Sequence, residues 1–180
     1  MRFSPTGIPG AFTIEGEPHM DERGFFVRLY CRDEFAAAGI EFTPLQINLS
    51  RNERRHTLRG LHYQDPPHAE AKLVQVTRGA AYDVVVDLRS DSPTYGRWAG
   101  IELGAQAPRA VYIPEGCAHG FLTLEPGTDV LYQMNRIHVP GHAAGYRWND
   151  PVLNIRWPAE PAVLSDGDRR WPGFSLETRS

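Results

Sequence analysis

Several side chains in this sequence could move protons or stabilise negative charge, and they occur in short, turn-bounded segments. His62 and Arg59 belong to the run RGLHYQ at residues 59–64, and Lys72 opens the next apolar segment. Histidine exchanges a proton readily near neutral pH, whereas arginine and lysine attract anions. Together these residue types would suit acid–base chemistry on an anionic substrate.

His119 and Tyr132 are two further candidates. His119 follows a Pro-Glu-Gly turn in an apolar setting, and Tyr132 stands in the middle of a predicted strand. Each also has an ordinary structural explanation, since a lone histidine is commonly a hydrogen-bonded core residue and a tyrosine a core aromatic. From spacing alone, the structural explanation is favoured for each residue taken singly.

A metal site is an alternative use for four residues: His62, His68, Glu70 and His119. Imidazole and carboxylate groups bind first-row transition metals. The His-x-His pair usual in such sites is absent after His62, so we favour a site without metal.

The length and composition of the chain fit one globular domain. Its 180 residues are 41% hydrophobic and 23% charged, and we expect residues 1–180 to form a single domain. The net charge of −3 gives no general reason to bind nucleic acid or a membrane surface. Any phosphate binding must therefore come from individually placed arginine and lysine side chains.

Cys31 and Cys117 are the only cysteines, and they lie far apart without CxxC spacing. A disulfide framework or a zinc-thiolate site is therefore not expected, and two unpaired thiols suit a reducing cytosol. The N-terminus lacks the pattern of a signal peptide, and no apolar run approaches the ~20 residues that span a bilayer. We expect a cytoplasmic protein.

The elements that position these side chains are predicted to be mainly short strands. Apolar, β-branched runs predict strands at 72–77, 81–88, 110–113 and 130–134, and residues 33–38 predict a helix. Segment 81–88 has one strongly apolar face and one mixed face. This pattern favours an antiparallel sandwich or barrel, in which inward-facing side chains of separate strands share one cavity. The stretch after Trp157 is expected to lie over the barrel as loop and short helix.

Eight stretches of the chain, taken in order, resemble the dTDP-4-dehydrorhamnose 3,5-epimerases and their relatives, which are metal-free members of the cupin superfamily. The stretches are DERGFF (21–26), QIN (46–48), LRGLHYQ (58–64), KLVQV (72–76), DLRSDSPTYG (87–96), IPEGCAHGF (113–121), WNDP (148–151) and LSDGD (164–168). They span nearly the whole chain, and the runs RGLHYQ and AHGF together are highly specific.

The resemblance implies an all-β fold, namely a cupin-type double-stranded β-helix (jelly-roll barrel) with a few short helices. It implies a nucleotide-diphospho-4-keto-6-deoxy sugar as substrate and a homodimer in which strands are exchanged between subunits. The chemistry needs no cofactor, because a proton next to a ketone becomes removable once the developing enolate oxygen is stabilised.

Roles for individual residues also follow from the resemblance. His62 corresponds to the base, Asp168 to its carboxylate partner, Tyr132 to the acid on the opposite face, and Lys72 to the cation near the keto oxygen. The implied binding residues are Arg23, Arg59 and His119 for the nucleotide and its phosphates, and Phe26, Gln46, Asn48 and His138 for the pocket lining.

Five positions depart from the usual pattern of the family: Arg28 replaces Glu, Ile47 a polar residue, His138 Tyr, Ala143 Glu and Gly167 Lys. Our hypothesis is the same chemistry on an altered substrate, which could be a different nucleotide, a different keto sugar, or epimerisation at one carbon. The leading interpretation is a 3,5-epimerase, followed by a single-site epimerase and then a ketoisomerase. A non-catalytic binding protein and a metal-dependent cupin are the alternatives from other classes.

Overall fold

The computed structural model describes residues 1–175, and nearly all of its regular structure is β-strand. The strands are β1 (Arg2–Pro5), β2 (Phe12–Glu15), β3 (His19–Asp21), β4 (Gly24–Phe26), β5 (Gln46–Asn52), β6 (Leu58–Gln64), β7 (Lys72–Arg78), β8 (Ala80–Asp87), β9 (Trp98–Gly104), β10 (Arg109–Ile113), β11 (Cys117–Thr123), β12 (Thr128–Met134) and β13 (Ala143–Gly145). The helices are α1 (Arg32–Ala37) and α2 (Asp166–Arg169). The strands predicted at 72–77, 81–88, 110–113 and 130–134 and the helix predicted at 33–38 are all present, with small shifts of their ends.

Two antiparallel sheets make up the barrel. One has six strands in the order β1-β2-β10-β7-β12-β5, and the other has five in the order β13-β6-β11-β8-β9. Strands β3 and β4 form a separate hairpin. The all-β jelly-roll barrel of cupin type with a few short helices, predicted from the sequence, is confirmed.

Apolar side chains from both sheets meet in the interior of the barrel. Val74 and Val111 of the six-stranded sheet and Val85 and Phe121 of the five-stranded sheet belong to this cluster, and each is at most 1% exposed. Burial of such side chains stabilises the fold by about 1.5–3 kcal/mol each. This cluster fixes how the two sheets face each other and therefore the width of any cavity between them.

Each sheet is also covered on its outer face. Phe35 of α1 packs on the outside of the six-stranded sheet with Leu73 and Tyr112. Val84 and Val86 of β8 pack under Leu153, Phe174 and other residues of the C-terminal stretch. The strongly apolar face predicted for β8 is thus its outer face, and the mixed face, which carries Asp83, is the one turned into the barrel.

Within residues 1–175, the structure contains no helix that is long and apolar enough to cross a membrane.

Candidate active site

A cavity of about 490 Å³ lies between the two sheets, and each sheet supplies one wall. The wall from the six-stranded sheet carries Lys72 and Tyr132, and the wall from the five-stranded sheet carries His62 and His119. The full lining consists of Gln46, Asn48, Leu49, Ser50, Arg59, His62, Tyr63, Gln64, Glu70, Lys72, His119, Phe121, Tyr132, Met134, His138, Ala143, Ala144, Ser165, Asp168 and Trp171.

A β-bulge in β6 explains how two residues three positions apart both reach this cavity. In the pairing with β11, His62 lies opposite His119 and Arg59 opposite Phe121, so β6 has one extra residue between the two pairs. Gly60 lies in this bulge with φ of +134°, and a Cβ there would come within 2.5 Å of the Gly120 Cα. Because of the extra residue, Arg59 and His62 project from the same face of the sheet.

His62 forms a short hydrogen bond with a carboxylate from the C-terminal stretch. Its Nε2 lies 2.5 Å from Asp168 Oδ1, and Trp171 Nε1 donates to the same oxygen at 3.2 Å. Ser165 caps α2 by accepting a hydrogen bond from the Asp168 main-chain N–H, which places Asp168 in the first turn of α2. Since Nε2 is engaged, the other ring nitrogen of His62 is the one that can accept a proton.

The ionisation of Asp168 follows from these contacts. Burial alone would raise the pKa of its carboxyl. The hydrogen bond and charge of His62, together with hydrogen bonds from Ser165 and Trp171, instead hold that pKa below its usual value. Asp168 therefore stays negatively charged at neutral pH, where it can stabilise a protonated His62.

A second histidine–aspartate pair lies deeper in the same wall. His119 Nε2 lies 2.7 Å from Asp83 Oδ2, and the two side chains are 5% and 1% exposed. Burial raises the pKa of Asp83, while His119 and Lys72 oppose that rise. Asp83 thus fixes the orientation of the His119 ring.

The opposite wall carries a phenol and an ammonium group. The ring of Tyr132 packs edge-on against His119, with ring centroids 5.9 Å apart. Burial, together with the nearby charge of Asp83, raises the pKa of Tyr132 well above its usual value, so its hydroxyl keeps its proton at neutral pH. Lys72 is 8% exposed, and its Nζ lies 3.1 Å from Glu70 Oε1.

Polar contacts hold Arg59 and connect Gln46 to the segment of His138, two of the remaining places where predicted binding residues line the cavity. Arg59 Nε donates to Asn52 Oδ1 at 2.9 Å. Gln46 Oε1 accepts a hydrogen bond from the His138 main-chain N–H at 3.0 Å, so Gln46 positions the segment that carries His138. Asn48 lines the cavity on the same edge strand.

Two predicted binding residues lie elsewhere. Arg23 and Phe26 belong to the β3–β4 hairpin and are not among the described residues that line the cavity. Phe26 is 74% exposed, and Arg23 pairs with the neighbouring Asp21 at 2.5 Å. Within one copy of the chain, therefore, the hairpin does not contribute to the site.

The five departures from the family pattern fall into two groups. His138 and Ala143 line the cavity. Arg28 is on the surface, where it pairs with Glu34 at 2.7 Å, and Ile47 is 60% exposed. Gly167 lies in α2 beside Asp168 and is not among the described lining residues.

The sequence assigns no catalytic or binding role to several lining residues. Nothing in the spacing of Trp171 points to a site, and Ser165, although it belongs to the run LSDGD, receives no role from the resemblance. Glu70 was weighed only as a metal ligand, whereas it pairs with Lys72. In residues 1–175, no group of three or more His, Cys, Asp or Glu side chains is arranged to hold a metal ion.

The arrangement suits proton transfer at a carbon atom held between the sheets. One wall offers an imidazole oriented by a carboxylate, and the other offers a neutral phenol and a cation. An imidazole can take a proton from one face of a bound ring while the phenol gives one to the other face.

Comparison with known proteins places the chain beside one family of enzymes. Residues 5–175 match the family described as dTDP-4-dehydrorhamnose 3,5-epimerase. A protein of that name from Pseudomonas aeruginosa is 41% identical over 177 residues, which cover 97% of each chain. A dTDP-4-dehydrorhamnose 3-epimerase from Streptomyces niveus is 41% identical over 170 residues, which cover 94% of this chain and 82% of the relative.

The fold is also shared with solved structures. A crystal structure of dTDP-4-dehydrorhamnose 3,5-epimerase from Bacillus anthracis, with TDP and PPi bound, superimposes with a TM-score of 0.94. The two chains are 40% identical, and the match covers 96% of this chain and 99% of the other.

Proposed function

The chain belongs to the dTDP-4-dehydrorhamnose 3,5-epimerase family, and we propose that its cavity epimerises dTDP-4-dehydro-6-deoxyglucose at C3 and C5. It is an isomerase that acts on a nucleotide sugar. The observation that carries the assignment of roles is the placement of His62 and Tyr132 on opposite walls of one cavity.

In the proposed reaction, His62 removes the proton next to the keto group, and the electron pair of the broken C–H bond moves to the keto oxygen. Lys72 stabilises the enolate oxygen that develops, and Asp168 stabilises the imidazolium. Tyr132 then donates its hydroxyl proton to the opposite face of the same carbon, which inverts the centre. The tyrosinate is strongly basic, because the pKa of Tyr132 is raised, and it recovers a proton from solvent, while the His62 imidazolium releases to solvent the proton it took from the sugar.

The binding of the nucleotide diphosphate is proposed to use Arg59 and His119. A guanidinium group binds phosphate oxygens through paired hydrogen bonds. We further propose a homodimer in which the β3–β4 hairpin of each copy reaches the cavity of the other, bringing Arg23 and Phe26 to the nucleotide. The 74% exposure of Phe26 and its absence from the described lining of its own cavity support this arrangement. The free thiols of Cys31 and Cys117 support a cytoplasmic location.

Solvent exchange tests the proposed chemistry directly. The wild-type protein, given dTDP-4-dehydro-6-deoxyglucose in D₂O, is expected to incorporate deuterium at C3 and C5, as followed by NMR. His62→Ala should abolish exchange at both carbons. Tyr132→Phe should retain exchange but form no epimerised product, because His62 can return a deuteron only to the face from which it removed the proton.

Two substitutions outside the cavity serve as matched controls. His56→Asn changes a histidine at a φ of +57°, which asparagine tolerates, and Tyr95→Phe removes a hydroxyl near the outer surface. Both should exchange at the wild-type rate. If the wild-type protein exchanges no proton of any nucleotide-linked 4-keto sugar, the proposed function is wrong.

A single-site 3-epimerase is the second candidate, because the Streptomyces niveus 3-epimerase is as similar in sequence as the 3,5-epimerase from Pseudomonas aeruginosa. Deuterium at C3 alone would establish it. Competition by dTDP, UDP, GDP and CDP in the same assay would identify the preferred nucleotide. If it is not dTDP, His138 and Ala143 are the lining residues to substitute.

A further inference from the structure

A chain of hydrogen bonds begins at Lys72 and leads along the cavity wall. Lys72 Nζ lies 3.1 Å from Glu70 Oε1, and both side chains are 11% exposed. The other carboxylate oxygen, Glu70 Oε2, accepts a hydrogen bond from Gln64 Nε2 at 2.9 Å. Glu70 therefore contacts the proposed enolate-stabilising cation on one side and a buried amide on the other.

The chain continues into the segment that carries His138. Gln64 Oε1 accepts a hydrogen bond from the Val139 main-chain N–H at 2.9 Å, next to the bond between the His138 N–H and Gln46 Oε1. Gln64 ends a strand of the five-stranded sheet, whereas Gln46 begins the edge strand of the six-stranded sheet. The segment is thus held to both walls of the cavity by side-chain amides.

The direction of these hydrogen bonds requires a carboxylate at position 70. The oxygen of Gln64 is used by Val139, so Gln64 faces Glu70 with its donor nitrogen. Lys72 also only donates. The two donors reach different oxygens of Glu70, and a carboxylate accepts through both, whereas an amide in the same orientation would present its NH₂ group to one of the donors.

We propose that Glu70 is a positioning residue that holds the Lys72 ammonium group at the cavity wall, and that Gln64 links this pair to the segment bearing His138. The inference rests on the proposed function, in which Lys72 stabilises the enolate. An ammonium group has three donors, so two remain for the substrate when one binds Glu70. A cation at this depth without a counter-charge would be costly to keep, because it has lost most of its contact with water.

Glu70→Gln tests the proposal, since it removes the charge and places an amide nitrogen against one of the two donors. We expect kcat to fall about tenfold or more while KM stays within about twofold, because Lys72 acts on charge that develops only in the transition state. Rates would be measured by deuterium incorporation at saturating and limiting substrate. Glu102→Gln, a substitution at an exposed position of β9, is the matched control.

A second variant separates the hydrogen-bond chain from a general loss of structure. In the double variant Gln64→Glu with Glu70→Gln, residue 64 accepts from Val139 and from the new amide, which in turn accepts from Lys72. Donors and acceptors then match again from Val139 to Lys72, and the only bond lost is the longer one, 3.3 Å, from Gln64 Nε2 to the His68 carbonyl, so kcat should recover at least severalfold over Glu70→Gln alone. A kcat of the double variant no higher than that of Glu70→Gln would contradict the linkage through Gln64.

A double-mutant cycle tests whether Glu70 acts through Lys72. In a Lys72→Met background, Glu70→Gln should have no further effect on the rate, whereas an equal fold-loss with and without Lys72 would overturn the proposal. If Lys72→Met exchanges deuterium too slowly to measure, the test rests on Glu70→Gln alone: a lower kcat with an unchanged KM supports the proposal, and an unchanged kcat overturns it. Absence of exchange in the wild-type protein would overturn the proposed function and this inference together, and wild-type exchange with an unchanged Glu70→Gln kcat would overturn this inference alone.

Discussion

The proposed base, His62, depends on a second residue. One nitrogen of its imidazole must be fixed by a hydrogen bond so that the other can accept the proton of the substrate. Asp168 holds Nε2 of His62 at 2.5 Å and remains ionised, since its pKa is lowered below its usual value. The carboxylate therefore selects the tautomer of the resting ring and stabilises the charge that forms on it.

Asp168→Asn keeps the size of the side chain but removes its charge, and its amide nitrogen could turn toward His62 and favour the wrong tautomer. We expect kcat for deuterium exchange to fall about a thousandfold, a loss of the kind seen when the carboxylate of a catalytic triad becomes an amide. Asp166→Asn, in the same helix and exposed, should leave the rate unchanged. A variant Asp168→Asn that exchanges at more than a tenth of the wild-type rate would show that the carboxylate is dispensable.

Residue types and motifs predict the residues at the centre of the site, whereas the residues around them can be identified only from the folded structure. His62, Lys72, Tyr132 and Asp168 all line one cavity, as the sequence motifs predict. Trp171 could not be predicted, because its hydrogen bond to Asp168 is local and its ring reaches His62, with ring centroids 6.1 Å apart, only in the folded chain.

At the scale of elements, the connection between β8 and β9 is organised by one buried carboxylate. Asp87 is fully buried and accepts hydrogen bonds from the Arg89 guanidinium and from the hydroxyls of Ser92 and Thr94. Although burial would raise it, these bonds lower the pKa of Asp87 to about 2 from an ordinary 3.8. The turn is thus stabilised by an ionised group that the unfolded chain would protonate more readily.

Asp87→Asn should reduce the free energy of unfolding at pH 7 by about 2 kcal/mol, because one pKa unit corresponds to about 1.4 kcal/mol. The pKa is depressed in the folded state, so this stabilisation is present above the unfolded pKa and is lost as pH falls from about 4 to 2. Urea denaturation of both proteins between pH 7 and pH 3 measures it. A difference between the two proteins that stays constant over that range would contradict the assignment.

Two of the strands that line the cavity, β5 and β11, are not predicted by the sequence, whereas β7 and β12 are. In β5 the polar residues Gln46, Asn48 and Ser50 line the cavity, while Ile47 and Leu49 are 60% exposed. The usual alternation is therefore reversed. Strand β11, which carries His119, was expected only as a turn, and its pairing with strands on both sides fixes it as a strand despite Gly120.

Two groups of large apolar side chains are exposed on a single copy of the chain. Phe25, Phe26 and Met20 on the β3–β4 hairpin are 52–74% exposed, and Ile47 and Leu49 lie on β5, which pairs with β12 and forms the edge of its sheet. Exposed apolar patches of this kind mark contact surfaces between proteins. A second copy related by two-fold symmetry would cover both surfaces at once.

Mixing two defective variants tests whether the hairpins are exchanged. His62→Ala destroys the cavity of its own chain but keeps a normal hairpin, whereas Arg23→Glu keeps a normal cavity and supplies a defective hairpin. In an exchanged dimer, each mixed dimer contains one site built from the two intact parts. Coexpression should therefore restore about a quarter of the wild-type activity, since about half of the dimers are mixed and one of their two sites is complete.

The matched control combines His62→Ala with Asp168→Asn, two variants whose defects both lie in the cavity. Every site in such a mixture contains one of the two defects, so no activity beyond that of the separate variants should appear. Light scattering would confirm that all the proteins are dimers. Two outcomes would contradict the exchange of hairpins: full activity of Arg23→Glu alone, or an inactive Arg23→Glu whose mixture with His62→Ala recovers no activity. The exposure of Phe26 would then need another explanation.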